Sequence, residues 1–197
     1  MRPFPKSPHR RVALAAGCLI AALAGASHVA AQGADADAEG RWWWTASASA
    51  QGTRLVCDLC DTSRDLGPAL DFVLGRYAGS ATRVGLEAGY ATTTNDGERE
   101  SVWSAGIAAE IHPRPGSGLH VIGGFGWAGY RAADFTYDAV RLRLGVGWDL
   151  PLAGSWVVGN RLTYDASSFA SLQNDGTPVQ ESVGLGTLRF GMYLGRR

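Results

Sequence analysis

The sequence predicts an all-β fold, an eight-stranded antiparallel transmembrane β-barrel with short periplasmic turns and longer extracellular loops. Three observations carry this prediction. Arg141 to Leu150 alternates strictly: Leu142, Leu144, Val146, Trp148 and Leu150 share one parity, and Arg141, Arg143, Gly145, Gly147 and Asp149 the other. Alternate side chains of a strand point to opposite faces, so one face here is wholly apolar and the other is charged or bare backbone. The pattern recurs in segments of about 9–11 residues, the length a tilted strand needs to cross a bilayer. The connections also alternate, short and turn-like then long and polar, as in barrels with periplasmic turns and surface loops.

Eight segments fit the pattern. Trp42–Gln51 opposes Trp42, Trp44, Ala46, Ala48 and Ala50 to Trp43, Thr45, Ser47, Ser49 and Gln51. Leu70–Tyr77 is the least regular, with Arg76 on the parity of Leu70, Phe72 and Leu74. Arg83–Ala91 opposes Val84, Leu86, Ala88 and Tyr90 to Arg83, Gly85, Glu87 and Gly89. Val102–His112 opposes Trp103, Ala105, Ile107, Ala109 and Ile111 to Ser104, Gly106, Ala108, Glu110 and His112. Leu119–Tyr130 sends Leu119, Val121, Phe125 and Trp127 outward, with Ile122 an apolar exception inside. Arg141–Leu150 is the sixth segment. Trp156–Ala166 follows, with Asn160 a polar exception outside, and then Val183–Leu194. Val183 and Leu185 oppose the parity of Leu188, Phe190, Met192 and Leu194, which predicts a bulge or loop stem there.

Short connections are expected at 79–82, 113–118 and 151–155, and long polar loops at 52–68, 92–101, 131–139 and 167–182. Residues 1–31 read as a secretory signal peptide: Arg2, Lys6, Arg10 and Arg11 precede the apolar run Val12–Gly25, and Val29-Ala30-Ala31 offers small residues for cleavage. Residues 32–40 read as a flexible acidic spacer, and 41–197 as a single barrel domain. The leader takes four of the 18 Lys plus Arg and none of the 18 acids, leaving 14 against 18. That balance argues against nucleic acid as a partner.

The aromatic residues fall at two levels. Trp42, Trp44, Trp148 and Trp156 form an inner girdle, and Tyr90, Trp103, Trp127 and Tyr164 an outer one. With these features the chain resembles the small outer-membrane β-barrel family of the OmpA or OmpX type over nearly all of Trp42–Leu194. The resemblance implies an outer-membrane protein of a Gram-negative-type bacterium, porin-like in wall but not in bore. Its partners would be outer-membrane lipid and the barrel-assembly machinery. Such barrels often end in a terminal aromatic, whereas Tyr193 is followed here by Leu-Gly-Arg-Arg.

The inward set contains an interior charge network of Glu87, Glu110, Arg141, Arg143, Asp149, Arg161, Asp165 and Arg189, with Arg83, His112, His120 and Asp71 alongside. Eight strands enclose a space that side chains just fill, so paired ions forming a plug are expected rather than an ion path. No catalytic, cofactor-binding or metal residues are predicted. His112 and His120 flank a short turn in which only Ser117 offers a hydroxyl, which is poor support for hydrolysis. Cys57-Asp-Leu-Cys60 reads first as a disulfide within the first long loop. Redox reactivity or metal binding by the same pair stay open. Asn-Asp-Gly in two loops is a turn signal; Ca²⁺ binding by such acidic tips is the weaker reading.

The expectation is therefore a monomeric, non-catalytic outer-membrane barrel, with any extracellular ligand met by its loops in envelope structure, surface interaction or adhesion. Two alternatives stand beside it. One is a soluble periplasmic lipocalin-like barrel holding a small apolar ligand, which requires the apolar parity to face inward. The other is a lipid-modifying outer-membrane barrel enzyme.

Overall fold

In the computed structural model, alternation at period two produces nine strands among the described residues, which are 41–57, 65–95, 97–114 and 117–196. In chain order they are β1 (Trp42–Val56), β2 (Asp65–Tyr77), β3 (Thr82–Asn95), β4 (Glu98–Ile111), β5 (Leu119–Ala132), β6 (Phe135–Pro151), β7 (Trp156–Ser167), β8 (Ala170–Asn174) and β9 (Thr177–Arg196). Each of β1 to β6 pairs antiparallel with the next strand, so that β6 pairs with β7. β7 pairs with β9, and β9 returns to β1, which closes an eight-stranded barrel. Closure leaves no sheet edge in the wall. β8 lies outside that count, pairing with the first part of β9 and with Phe135 and Thr136 of β6. The expected signal peptide and spacer lie outside the described residues.

The apolar parity faces out. Leu142, Leu144 and Val146 are 37%, 38% and 49% exposed, while Arg141 and Arg143 between them are 1% and 2% exposed. This overturns the requirement of the lipocalin-like alternative, an apolar lumen with charges outside. Leu86, Ile107, Phe125, Leu162, Phe190 and Met192 extend the same apolar exterior round the wall. Ile122 is buried and Asn160 is exposed, as their parities require.

Two expectations about the ends of the strands need correcting. The wall strands run from 12 to 20 residues, each longer than the 9–11 expected of a single membrane crossing. Three of the expected loops are largely strand. Segment 92–101 continues β3 and β4, 131–139 continues β5 and β6, and 167–182 contains β8 and the start of β9. The Asp175-Gly176 turn between β8 and β9 has positive φ at both residues (48° and 78°), the geometry that favours Asp-Gly in a two-residue hairpin. Val183 and Leu185 are also not a loop stem. Their parity is the inward one, and both are buried within β9. The expected bulge does border Val183: Ala170 pairs with Val183 and Leu172 with Gln180, which puts one extra residue on β9 there, with Ser182 at a φ of 58°.

Candidate functional site

The distinctive chemistry of this chain lies in the lumen, and strand alternation puts it there. Every second residue of the wall strands points inward, and on several strands those residues are ionisable. They gather into two ion-pair networks stacked along the barrel, under an apolar cap.

The upper network joins three Arg to three carboxylates. Arg143 of β6 donates from Nε to Asp165 Oδ1 (2.7 Å), from Nη1 to Glu87 Oε2 (2.9 Å) and from Nη2 to Asp165 Oδ2 and Asp71 Oδ1 (3.2 and 3.3 Å). Arg141 donates to Glu87 Oε1 and to Asp165 Oδ1. Arg189 of β9 donates to Asp71 Oδ1 and Gln51 Oε1. Thr187 adds a hydroxyl bond to Asp165 Oδ2 at 3.1 Å. Charges balance three against three, so none of these groups is left buried without a counter-ion. Voids of about 10 Å³ border this layer, room for no more than a single water.

The lower network joins Arg83 and Arg161 to Glu110 and Asp149. Arg83 donates from Nη1 to Glu110 Oε2 (3.1 Å) and from Nη2 to Asp149 Oδ2 (3.1 Å) and His112 Nε2 (3.0 Å). Arg161 donates to Thr45 Oγ1, lies 4.0 Å from Glu110 Oε1, and covers the Tyr193 ring at 4.2 Å. Trp43, Val73, Tyr77 and Ala108 form an apolar layer at this end, with the Arg83 guanidinium over the rings of Trp43 and Tyr77. Arg83 and Asp71, set beside the network on sequence grounds, are integral to it.

Glycine makes room for these large groups. A Cβ at Gly89 would lie 2.5 Å from Asp71 Oδ1 and 2.8 Å from Ser104 Oγ, and at Gly147 2.3 Å from His120 Nε2. Gly89→Ala is expected to destabilise the barrel by about 1–3 kcal/mol by crowding Asp71, the usual cost of overpacking. Urea unfolding of the refolded protein in detergent measures it, and an unchanged midpoint would show that Asp71 can move freely.

Above the upper network sits a layer that sequence reading missed. Ala69, Ala91, Val102, Ala128, Tyr130, Tyr137, Ala139, Val183 and Leu185 form one buried apolar cluster across the outer mouth, with Leu55, Cys57 and Leu172 packed against it. The Tyr137 hydroxyl donates to Ser168 O (2.6 Å) and meets Ser167 Oγ, which accepts from Leu185 N. The signal was present in the inward parity of Val183 and Leu185. Cys57 is disulfide-bonded, and Cys60 lies outside the described residues.

On the outside, Trp42, Trp148 and Trp156 are exposed and Trp44 half-buried, near the short-turn ends of β1, β6 and β7. Tyr90, Trp127 and Tyr164 are exposed near the opposite ends of β3, β5 and β7. Trp103 is half-buried because its indole packs over Gly129, where a Cβ would lie 2.1 Å from Nε1.

Metal-ligand spacing occurs once among the described residues. His112, His120 and Asp149 each offer a ligand atom, all within 4.8 Å of one another. Arg83 already bonds both Asp149 and His112, so a divalent cation would have to displace a buried guanidinium, and the group acts as part of the ion-pair layer. His112 Nε2 accepts from Arg83 with Asp149 Oδ2 3.3 Å away, His120 Nδ1 faces Gly118 O at 3.2 Å, and Ser117 Oγ donates to Arg114 O. A nucleophile held by a base is not among these contacts.

No protein-family model matches the chain, and no curated protein matches it in sequence. Among solved structures it is similar to Neisserial surface protein A, with a TM-score of 0.52 and 12% identity over 77% of this chain and 96% of that one. It is also similar to Ail, the attachment invasion locus protein of Yersinia pestis, with a TM-score of 0.50 and 13% identity over 80% of this chain and 99% of that one. At these identities the likeness shows the fold, an eight-stranded antiparallel barrel of the kind found in outer-membrane proteins.

Proposed function

We propose that this protein is a monomeric, non-catalytic outer-membrane barrel, sealed along its axis, whose role is exercised by the strand extensions and loops at its outer end. The observation that carries the reading is the inverted wall: apolar side chains cover the exterior, and five Arg with five carboxylates fill the interior. In water such a surface would aggregate; in a bilayer it matches its solvent. The export route is a signal peptide over 1–31, with delivery through the barrel-assembly machinery to the outer membrane of a Gram-negative-type cell. Two of the structural neighbours are a surface protein and an attachment invasion locus protein by name. Surface interaction or adhesion is accordingly the class of role assigned to the outer end, with Cys57 paired to Cys60 to close the first loop.

Planar-bilayer recording of the refolded protein tests the seal. No steady large conductance is expected, because two ion-pair layers and an apolar cap lie in series; a stable open channel would contradict it. Deacylase and phospholipase assays on the same preparation are expected to stay at background. The mass of the mature chain is expected to rise by two hydrogens on reduction; two free thiols before reduction would remove the disulfide from the account.

A further inference from the structure

Every Arg of the lumen has a carboxylate within 4.0 Å. Outside the lumen only Arg131 pairs with a carboxylate among the described residues; Arg41, Arg54, Arg76, Arg99, Arg114 and Arg196 do not, and of these Arg76 and Arg196 are the two on wall strands at the short-turn end. Arg76 continues the outward parity of Leu70, Phe72 and Leu74 on β2, and Arg196 that of Met192 and Leu194 on β9. Both lie at the short-turn end. Register places Arg76 opposite Trp42, and Arg196 between Trp44 and Trp156. Four neighbouring strands, β7, β9, β1 and β2, thus present one outward stripe of Trp156, Arg196, Trp44, Trp42 and Arg76.

The stripe is ordered by its own contacts. The Arg76 guanidinium lies 4.4 Å from the Trp42 ring centroid, Trp44 meets Trp156 edge-on at 5.6 Å, and Arg196 Nε donates to Ser155 Oγ at 3.1 Å. Among the described residues no carboxylate pairs with Arg76 or Arg196, and the turns 78–81, 112–118 and 152–155 contain no Asp or Glu at all. A guanidinium with free N–H edges beside a headgroup-level indole suits a phosphodiester, which accepts two parallel N–H bonds. The apolar stem of each Arg can lie along the wall while its head reaches the interface.

We propose that this stripe binds the headgroups of anionic phospholipids in the periplasmic leaflet. The inference rests on the membrane reading above, with the short turns facing the periplasm. Phosphatidylglycerol is the chosen probe. The full mature chain is refolded into bilayers of phosphatidylcholine, with or without phosphatidylglycerol of the same acyl chains. Lipid preference is then read by spin-labelled lipid or by lipid retained in native mass spectrometry. The expected preference for phosphatidylglycerol is on the order of fivefold per Arg, falling with added salt. R76Q with R196Q should abolish most of it, R76K with R196K should keep it, and Arg99→Gln at the opposite rim should leave it unchanged. Inorganic phosphate at matched ionic strength should not compete.

Three results would overturn the proposal. One is insertion with no phosphatidylglycerol preference; another is a preference that survives R76Q with R196Q in a folded protein. The third is a salt-sensitive stability, indifferent to lipid charge, that D35N, D37N and E39Q together remove. That last outcome would assign the stripe to the acidic segment preceding Arg41. Failure of the wild-type chain to enter either bilayer would instead refute the membrane reading, and this proposal with it.

Discussion

Arg143→Met is expected to destabilise the folded barrel by about 3–5 kcal/mol, the cost of leaving buried carboxylates without their cation. Arg143 is 2% exposed and bonds Asp165, Glu87 and Asp71 at once, so its loss leaves the upper network with three acids and two Arg. Met keeps most of the volume, so the effect reports charge rather than a cavity. Combining Arg143→Met with Glu87→Gln restores the balance and should recover part of the loss; the double-mutant cycle isolates the pair. Urea unfolding in detergent or bilayers measures Arg143→Met, Glu87→Gln and the double variant. A loss below about 1 kcal/mol for the single variant would mean that water reaches the layer and screens it.

Leu144→Arg, one residue along, tests the opposite face. Leu144 is outward and lies near the middle of β6. A cation on the lipid face at mid-depth costs about 2–4 kcal/mol, falling towards zero near the interfaces. Folded yield in bilayers should fall sharply for this variant, while Leu150→Arg, close to the short-turn end of β6, should lose much less. In a soluble barrel both would be benign exterior changes, so equal tolerance at the two positions would contradict the membrane reading.

The inverted wall is legible in the sequence because strand alternation has a period of two and because the apolar and charged parities in Arg141–Leu150 are so cleanly separated. The same logic places Glu87, Glu110, Arg161, Asp165 and Arg189 in the lumen. It cannot say which Arg meets which acid, since that depends on barrel stagger, which brings Gln51 to Arg189 and Asp71 to Arg143 across large sequence separations. The outer end misleads for a different reason. Polar residues such as Thr92–Thr94 and Asp138 suggest loops, but outside a membrane a hairpin needs no apolar face, and strand pairing simply continues. The cap is hidden because Val183 and Leu185 break the polar-inside rule. At the barrel mouth that rule gives way to apolar packing under the β8–β9 extension.

The orientation of the wall is the claim on which the rest depends, and spin-label accessibility measures it directly. Labels placed singly at Leu142, Leu144 and Val146 in bilayer-inserted protein should collide freely with oxygen dissolved in lipid and hardly at all with a water-soluble relaxing agent. Collision with the aqueous agent at all three positions, or recovery of the wild-type protein from the soluble periplasmic fraction, would contradict the account.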